Sequence, residues 1–327
     1  MGRKRKFKQM KKLMVALLFL LPNVVLALPT AKYTLLVVDE QGVPIEGADA
    51  SISFMRPKSQ GWGGKTNFIS GQTDKGGFFT GEGATEQYGV YGADANGYYG
   101  TSFKYNGFTG VSGVIGFRKW QPWNPTLKVI LKKKKNPIPM YAYSTGISPI
   151  MIPDTNGLVI GYDLIKHDWI SPYGKGVTED FLFKLDGEFK SIRDSRVAFS
   201  LEFSNDADGI QPFIVDKKSG SNFISSHHAP LTGYQPSVMY RRVNAPGQLS
   251  ITSYDKNGDY NYYFRIRCDE DDESTCLYGK IYGRVGFSAR GSLSFNYYLN
   301  PAPGDTNVEF DPKKNLFKNL ENKITTP

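Results

Sequence analysis

Apolar and polar side chains alternate at every second position in several segments of this chain. The clearest runs are those whose apolar members are Val197, Phe199, Leu201 and Phe203, then Tyr260, Tyr262, Phe264 and Ile266, and then Leu293, Phe295 and Tyr297. Successive side chains of a β-strand point to opposite faces of a sheet, so this period predicts strands with one buried face. No stretch has the three- and four-residue apolar spacing of a long helix, and we therefore predict an all-β protein.

The alternating segments fall into two groups on either side of a proline-containing stretch. Asn136–Pro139 contains two prolines, and proline cannot donate a backbone hydrogen bond to a sheet. A chain of 327 residues is long enough for two domains. We predict a β-sandwich over residues 28–135, a linker over 136–139, a larger β-sandwich or jelly-roll-like domain over 140–317, and a polar tail over 318–327.

Several short motifs in the first group resemble those of one known domain type. They are Leu36–Asp39, Gly42–Ala48, Thr73–Phe79 and Tyr88–Ala93, followed by Gly97 and Tyr98. Their order is similar to that of a carboxypeptidase regulatory-like domain. The resemblance implies a transthyretin-like (prealbumin- or immunoglobulin-like) sandwich of seven strands that serves as an accessory module. Met55–Ser70 and Gly100–Pro125 depart from the family pattern as insertions.

The first 27 residues have the composition of a signal peptide. Seven Lys and Arg residues and no acidic residue lie between Met1 and Lys12, and the apolar stretch Leu13–Leu26 follows. Val25 and Ala27 place small residues three and one positions before a cleavage point at Leu28. A membrane-spanning helix needs about 20 apolar residues, more than this stretch offers. We therefore favour a cleaved signal and a secreted or periplasmic protein over an uncleaved N-terminal membrane anchor.

The net charge of the chain is concentrated in this N-terminal segment. The full sequence carries a formal charge of +9, and the seven basic residues account for all but +2 of it. The nearly neutral remainder offers no electrostatic basis for binding nucleic acid.

The two cysteines, Cys268 and Cys276, lie close together in the sequence. An exported protein matures in an oxidising compartment, where a close pair of cysteines usually forms a disulfide. Five acidic residues lie between them, from Asp269 to Glu273. We predict a Cys268–Cys276 disulfide that closes an acidic hairpin tip.

The usual catalytic signatures are missing from the sequence. A zinc hydrolase requires histidines and a carboxylate at fixed spacing, and the three histidines, His167, His227 and His228, do not have it. No Gly-x-Ser-x-Gly nucleophile elbow and no phosphate-binding glycine loop occurs. The sequence therefore favours a non-catalytic binding or structural protein. The alternative is a hydrolase of extracellular polymers with a carboxylate pair in the C-terminal domain, since such pairs have no fixed spacing.

Tryptophans are the best candidates for a binding surface. Exposed indole rings stack on sugars, and the four tryptophans lie in Gly- or Pro-containing segments where exposure is plausible. These residues are Trp62, Trp120, Trp123 and Trp169. They point to a glycan or another surface protein as partner, and core packing is the competing interpretation.

One acidic turn is a candidate cation site. Asp206 and Asp208 lie in the turn Asn205–Gly209, which brings hard oxygen ligands together and suits Ca²⁺. The turn lacks the twelve-residue loop and terminal glutamate of a full calcium motif, so an ordinary turn is the competing interpretation. No other cofactor is predicted.

Cleavage of the signal peptide can be tested directly. We expect N-terminal sequencing of the protein isolated from cells to begin near Leu28, because the residues before it satisfy the rule for signal cleavage. Mature protein that still carries Met1 would instead support the membrane-anchor alternative.

Overall fold

The fold was analysed on a computed structural model, which describes residues 28–55, 66–86, 89–114, 117–146, 148–215, 220–252, 260–318, 320 and 323–327. Strands make up 51% of the structure and helical turns 2%, which confirms the predicted all-β class. Among the described residues, no helix has the length and apolar character needed to cross a membrane. Trp62 and the N-terminal segment 1–27 lie outside the described residues.

Ten strands lie in the described residues between 30 and 133. They are β1 (Thr30–Asp39), β2 (Asp49–Met55), β3 (Thr66–Gln72), β4 (Phe78–Ala84), β5 (Gly89–Asp94), β6 (Tyr98–Tyr99), β7 (Thr101–Tyr105), β8 (Gly110–Ser112), β9 (Lys119–Gln121) and β10 (Thr126–Lys133). The chain forms two compact units. The first contains the described residues up to Asn96 together with Gly100–Leu131, and the second contains Gly97–Tyr99 and Lys132–Pro327.

The first unit is a β-sandwich. In one sheet β1 pairs with β10 in parallel and with β4 in antiparallel orientation, and β9 with its hairpin partner β8 joins β1 at Thr30. The second sheet has the order β3-β2-β5-β7. The inner face of β1 carries Tyr33, whose ring stacks on Phe54 of β2 at 5.6 Å between centroids. Alternation along these two strands therefore buries one side of each sheet against the other.

A tight turn between β3 and β4 shows how local sequence directs the chain from one sheet to the other. Asp74 Oδ1 accepts hydrogen bonds from the backbone N–H groups of Gly76 and Phe78, both at 2.9 Å. Gly77 follows with φ +76°, and a Cβ at this position would lie 2.4 Å from the carbonyl oxygen of Val37. Only glycine allows this backbone approach without strain.

Fourteen further strands lie in the described residues from 141 to 299. They are β11 (Tyr141–Ser144), β12 (Ile150–Met151), β13 (Val159–Asp163), β14 (Asp168–Trp169), β15 (Phe181–Ser191), β16 (Asp194–Glu202), β17 (Gly209–Ile214), β18 (Ser237–Asn244), β19 (Ile251–Thr252), β20 (Tyr260–Ile266), β21 (Leu277–Ile281), β22 (Gly286–Phe287), β23 (Ser292–Ser294) and β24 (Asn296–Leu299). Short 3₁₀ turns occur at Glu273–Thr275 and Pro312–Lys314.

The second unit packs three sheets around a core rich in aromatic rings. The sheets have the orders β11-β24-β21-β20-β17, β14-β13-β15-β16-β18-β19 and β12-β23-β22. Phe181 of β15 meets Phe264 of β20 edge-to-face at 5.1 Å, and Phe199 of β16 stacks on Phe287 of β22 at 4.9 Å. The three alternating runs in the sequence therefore contribute their apolar faces to one shared core.

The segments that precede and follow the strands of the second unit in the sequence also pack against this unit. The Asn136 N–H donates to Glu309 Oε2 at 2.7 Å, and the Ile138 N–H donates to the Glu309 carbonyl oxygen at 2.8 Å. Near the C-terminus, Ile324 is buried and its N–H donates to the carbonyl oxygen of Ala142 at 3.1 Å. Segments that the sequence suggested as linker and tail are thus hydrogen-bonded to the second unit.

Removing one ring from the aromatic core should destabilise the protein strongly. We expect Phe264→Ala to lower the free energy of unfolding by about 3–5 kcal/mol, because the deletion leaves a cavity among fully buried rings. Ile214→Ala is the control, since Ile214 is 81% exposed in the same unit. Urea unfolding followed by near-ultraviolet circular dichroism measures both. Equal losses for the two variants would contradict this account of the core.

Candidate binding surface

The β8–β9 hairpin positions two of the four tryptophans. In its register Val111 lies opposite Trp120, and Ser112 lies opposite Lys119. Side chains alternate between the two faces of a strand, so Trp120 points to one face of the hairpin while Lys119 and Gln121 point to the other.

The face with Trp120 anchors the hairpin to the first unit. The indole Nε1–H donates to the carbonyl oxygen of Thr85 at 3.0 Å, and the ring stacks on Phe108 at 5.1 Å between centroids. Phe108 in turn packs against Tyr33 in the sandwich core. Trp120 is half-buried and already engaged on one side of its ring, so its main effect is to fix the position of the hairpin.

The opposite face combines an indole ring with polar groups. The Nζ of Lys119 lies 4.4 Å from the ring centroid of Trp123. Gln121 Nε2 donates to Ser112 Oγ at 2.7 Å, while Gln121 Oε1 accepts the backbone N–H of Trp123 at 3.2 Å. We call Ser112, Lys119, Gln121 and Trp123 the Trp123 face.

The Trp123 face is accessible to a ligand. Ser112 and Lys119 are exposed, and Gln121 and Trp123 are half-buried. Phe117, in the loop of the same hairpin, is 79% exposed. An aromatic ring with an ammonium group beside it, and with an amide and a hydroxyl on the same hairpin face, offers both a stacking surface and hydrogen-bond partners for a polar ligand.

Trp169 lies in a different environment. Its side chain is 8% exposed and meets Tyr162 and Phe183 edge-to-face, at 5.1 and 5.9 Å between centroids. Trp169 therefore belongs to the aromatic core of the second unit and offers no stacking surface to a ligand.

The candidate calcium turn uses its oxygens for backbone contacts. Asp206 is exposed, whereas Asp208 is buried and accepts the N–H of Cys268 on Oδ1 at 2.9 Å and that of Arg267 on Oδ2 at 3.2 Å. The carboxylate of Asp208 thus fastens this turn to the end of β20. Within the described ranges, no group of three or more His, Cys, Asp or Glu side chains is arranged to hold a metal ion.

The predicted disulfide is confirmed. Cys268 and Cys276 are bonded, with their Cα atoms 4.1 Å apart, and both residues are buried. The bond closes the acidic loop between β20 and β21, where Asp272 accepts the N–H of Ser274 at 2.9 Å. Hydrogen bonds from the side chain and then the backbone of Ser274 lower the pKa of Asp272, and the backbone bond caps the 3₁₀ turn that follows.

An ion pair between a half-buried arginine and a buried aspartate stabilises the region beside the disulfide. Arg267 donates through Nε and Nη2 to the two carboxylate oxygens of Asp180, at 2.7 and 2.9 Å. Burial raises the pKa of Asp180 despite this partner. Burial acts in the same direction on Asp163, but four backbone N–H donors outweigh it and lower the pKa of that carboxyl group. The ion pair joins residues far apart in sequence, and no local motif could have revealed it.

His167 is a structural side chain in the second unit. Its Nδ1 lies 2.8 Å from the hydroxyl of Tyr162, and its ring centroid lies 3.5 Å from that of Tyr143. Burial lowers the pKa of His167 to about 4, so the ring is neutral at physiological pH. His227 is also held in place, since its Nε2 lies 2.9 Å from the carbonyl oxygen of Lys133.

Sequence analysis overlooked a fully buried lysine. Lys280 Nζ donates to the hydroxyl of Tyr282 at 2.7 Å and lies 4.6 Å from the ring of Phe223 and 4.7 Å from that of Tyr298. Burial and the nearby charge of Lys132 lower its pKa well below the ordinary value. Lys280 lies on a strand whose five residues are all buried, and this burial depends on the neighbouring strands and not on a local sequence pattern.

Comparisons with known proteins identify no family. No family model and no curated protein matches the chain. Among solved structures, the shaft pilin SpaA of Lactobacillus rhamnosus GG matches with 12% identity and a TM-score of 0.20, over 81% of this chain and 95% of that chain. A candidate carbohydrate binding protein of Bacteroides uniformis ATCC 8492 matches with 15% identity and a TM-score of 0.18, over 82% and 96%. Superpositions this poor carry no argument about function.

Asp208 should make stability depend on pH. Burial raises its pKa from 3.8 to about 6, against the effect of the two backbone donors. The folded protein then binds this proton more tightly than the unfolded chain, so the contribution of Asp208 to stability falls as pH rises from about 4 to about 6. Relative to the wild type, we expect the unfolding free energy of Asp208→Asn to increase by about 2–3 kcal/mol between pH 4 and pH 7.

Urea unfolding of both proteins at a series of pH values measures this difference. The lowered pKa of His167 acts in the opposite direction over this range, but the comparison cancels it because both proteins contain His167. A difference that does not change with pH would show that Asp208 titrates normally in the folded protein.

Proposed function

We propose that this protein is an exported, non-catalytic binding protein that contacts a glycan through the Trp123 face. The observation that carries the proposal is the half-buried indole ring of Trp123, with the ammonium group of Lys119 4.4 Å from its centroid and the amide of Gln121 bonded to its backbone N–H. Sugars present apolar C–H faces and a rim of hydroxyls, so an indole ring with an ammonium group and an amide on the same hairpin face is chemically matched to them.

Export is supported by two independent features. The N-terminal segment has the basic region, the apolar stretch and the small residues of a signal peptide. The Cys268–Cys276 disulfide persists in oxidising compartments such as the periplasm or the extracellular space. We place the protein there, with a cleaved signal.

We further propose that the first unit is an accessory module of the carboxypeptidase regulatory-like kind. Apart from the β8–β9 hairpin, the described residues of this unit supply seven strands to its two sheets, namely β1, β4 and β10 in one and β2, β3, β5 and β7 in the other. The hairpin that carries the Trp123 face lies within Gly100–Pro125, which departs from the family pattern. A binding surface on an insertion leaves the sandwich itself unchanged.

The buried carboxylates of the second unit do not favour hydrolysis by a carboxylate pair. A glycosidase needs two carboxyl groups that face a cleft and a sugar. The buried carboxylates Asp163, Asp180 and Asp208 accept hydrogen bonds from backbone N–H groups or from Arg267. These bonds favour a structural role for the three groups.

Screening the mature protein on a glycan array and titrating the best ligand by calorimetry tests the proposal. We expect Trp123→Ala to weaken binding about tenfold or more, because it removes the stacking surface. Gln121→Ala should weaken binding less, since it removes one hydrogen-bonding group. Phe78→Ala is the matched control, because Phe78 is another exposed aromatic residue of the first unit and lies outside the Trp123 face.

Two results would contradict the proposal. One is a wild-type protein that binds no glycan on the array. The other is a ligand whose affinity is the same for the wild type and for Trp123→Ala, which would place the site elsewhere.

A further inference from the structure

Among the described residues, strand β3 forms an outer edge of the first unit with no strand paired to its free side. It is the outer strand of the sheet β3-β2-β5-β7 and pairs along all seven of its residues with β2. Among the described strands, β2 is its only partner. Its other edge therefore presents backbone N–H and C=O groups that another extended strand can pair with.

The sequence of β3 lacks the features that normally discourage edge pairing. Thr66–Gln72 reads TNFISGQ, with no charged residue and no proline, and Phe68 is 72% exposed. Lysines, prolines, inward charges and very short strands are the usual protection.

Other edges in the described part of the chain do have such protection. On the opposite edge of the same sheet, β7 carries Lys104, and in the facing sheet β4 carries Glu82. In the second unit, β17 contains Pro212, and the outer side of β11 is bridged by Lys323. The remaining edge strands are two or three residues long, namely β6, β8, β12, β14, β19 and β22. The lack of protection on β3 is therefore a local property and not a general feature of this protein.

We propose that β3 pairs antiparallel with β3 of a second copy of this chain, so that two four-stranded sheets become one. A two-fold axis at Ile69 places Phe68 of one copy opposite Ser70 of the other, and Thr66 opposite Gln72. No like charges meet, because the strand has no charges. A two-fold contact of this kind closes on itself and gives a dimer.

The faces of the two sheets match in this register. Phe68 and Ser70 are both exposed, whereas Ile69 between them is half-buried and faces inward. Residues directly opposite in an antiparallel pair point to the same side, so the inner faces of the two copies remain on one side and the exposed faces on the other. A shift of one residue would exchange the faces, and this restricts the possible registers.

Sedimentation velocity of the mature full-length protein over a range of concentrations tests the proposal. We expect a monomer–dimer equilibrium whose dissociation constant rises about tenfold or more in Phe68→Lys/Ser70→Lys, because the two-fold axis brings four added charges together. Ser102→Lys is the matched control. It adds a lysine to the exposed face of the same sheet on the opposite edge, and it should dimerise like the wild type.

Hydrogen exchange identifies the surface independently. Amides of Thr66–Gln72 should exchange more slowly as the concentration of wild-type protein rises, and circular dichroism should show that the lysine variants remain folded. A wild type that stays monomeric at all concentrations overturns the proposal, as does a dimer that Phe68→Lys/Ser70→Lys leaves intact. Trp123→Ala should dimerise normally, so failure of the glycan proposal would not affect this one.

Discussion

The burial of one face of each strand is the constraint on which the rest of this structure depends. In the second unit, alternating runs from β15, β16, β20 and β24 place their rings in a single core, where Phe181 and Phe264 meet edge-to-face. A sheet with one apolar face is stable only when that face is covered, and here another sheet covers it. Turns, loops and termini then lie outside the core that these covered sheet faces form.

Buried polar groups make the arrangement specific. Arg267 pairs with Asp180, Asp208 holds the backbone of the Cys268 region, and Glu309 accepts the N–H groups of Lys135 and Asn136. Each of these contacts joins segments that are distant in sequence. Leaving such a group without its partner costs more than the bond contributes, so the contacts disfavour alternative packings.

The candidate functions lie on surfaces that this scaffold does not need for its own stability. The Trp123 face is presented by a short hairpin, while the neighbouring Trp120 packs inward and holds that hairpin in place. Strand β3 completes a sheet on one side, and no described strand pairs with its other side. The proposed glycan contact and the proposed self-association therefore involve different strands of the first unit.

The sequence by itself determined the all-β class, the alternation that selects the buried residues, and the disulfide, because strand period and the proximity of Cys268 and Cys276 are local properties. The sequence could not show which tryptophans are buried and which are accessible, since Trp123 and Trp169 occur in similar segments. Only the tertiary structure placed Trp169 in the core and Trp123 beside Lys119. The same holds for Lys280 and for the ion pair of Arg267, because burial and long-range pairing depend on which strands become neighbours, and no short stretch of sequence encodes that.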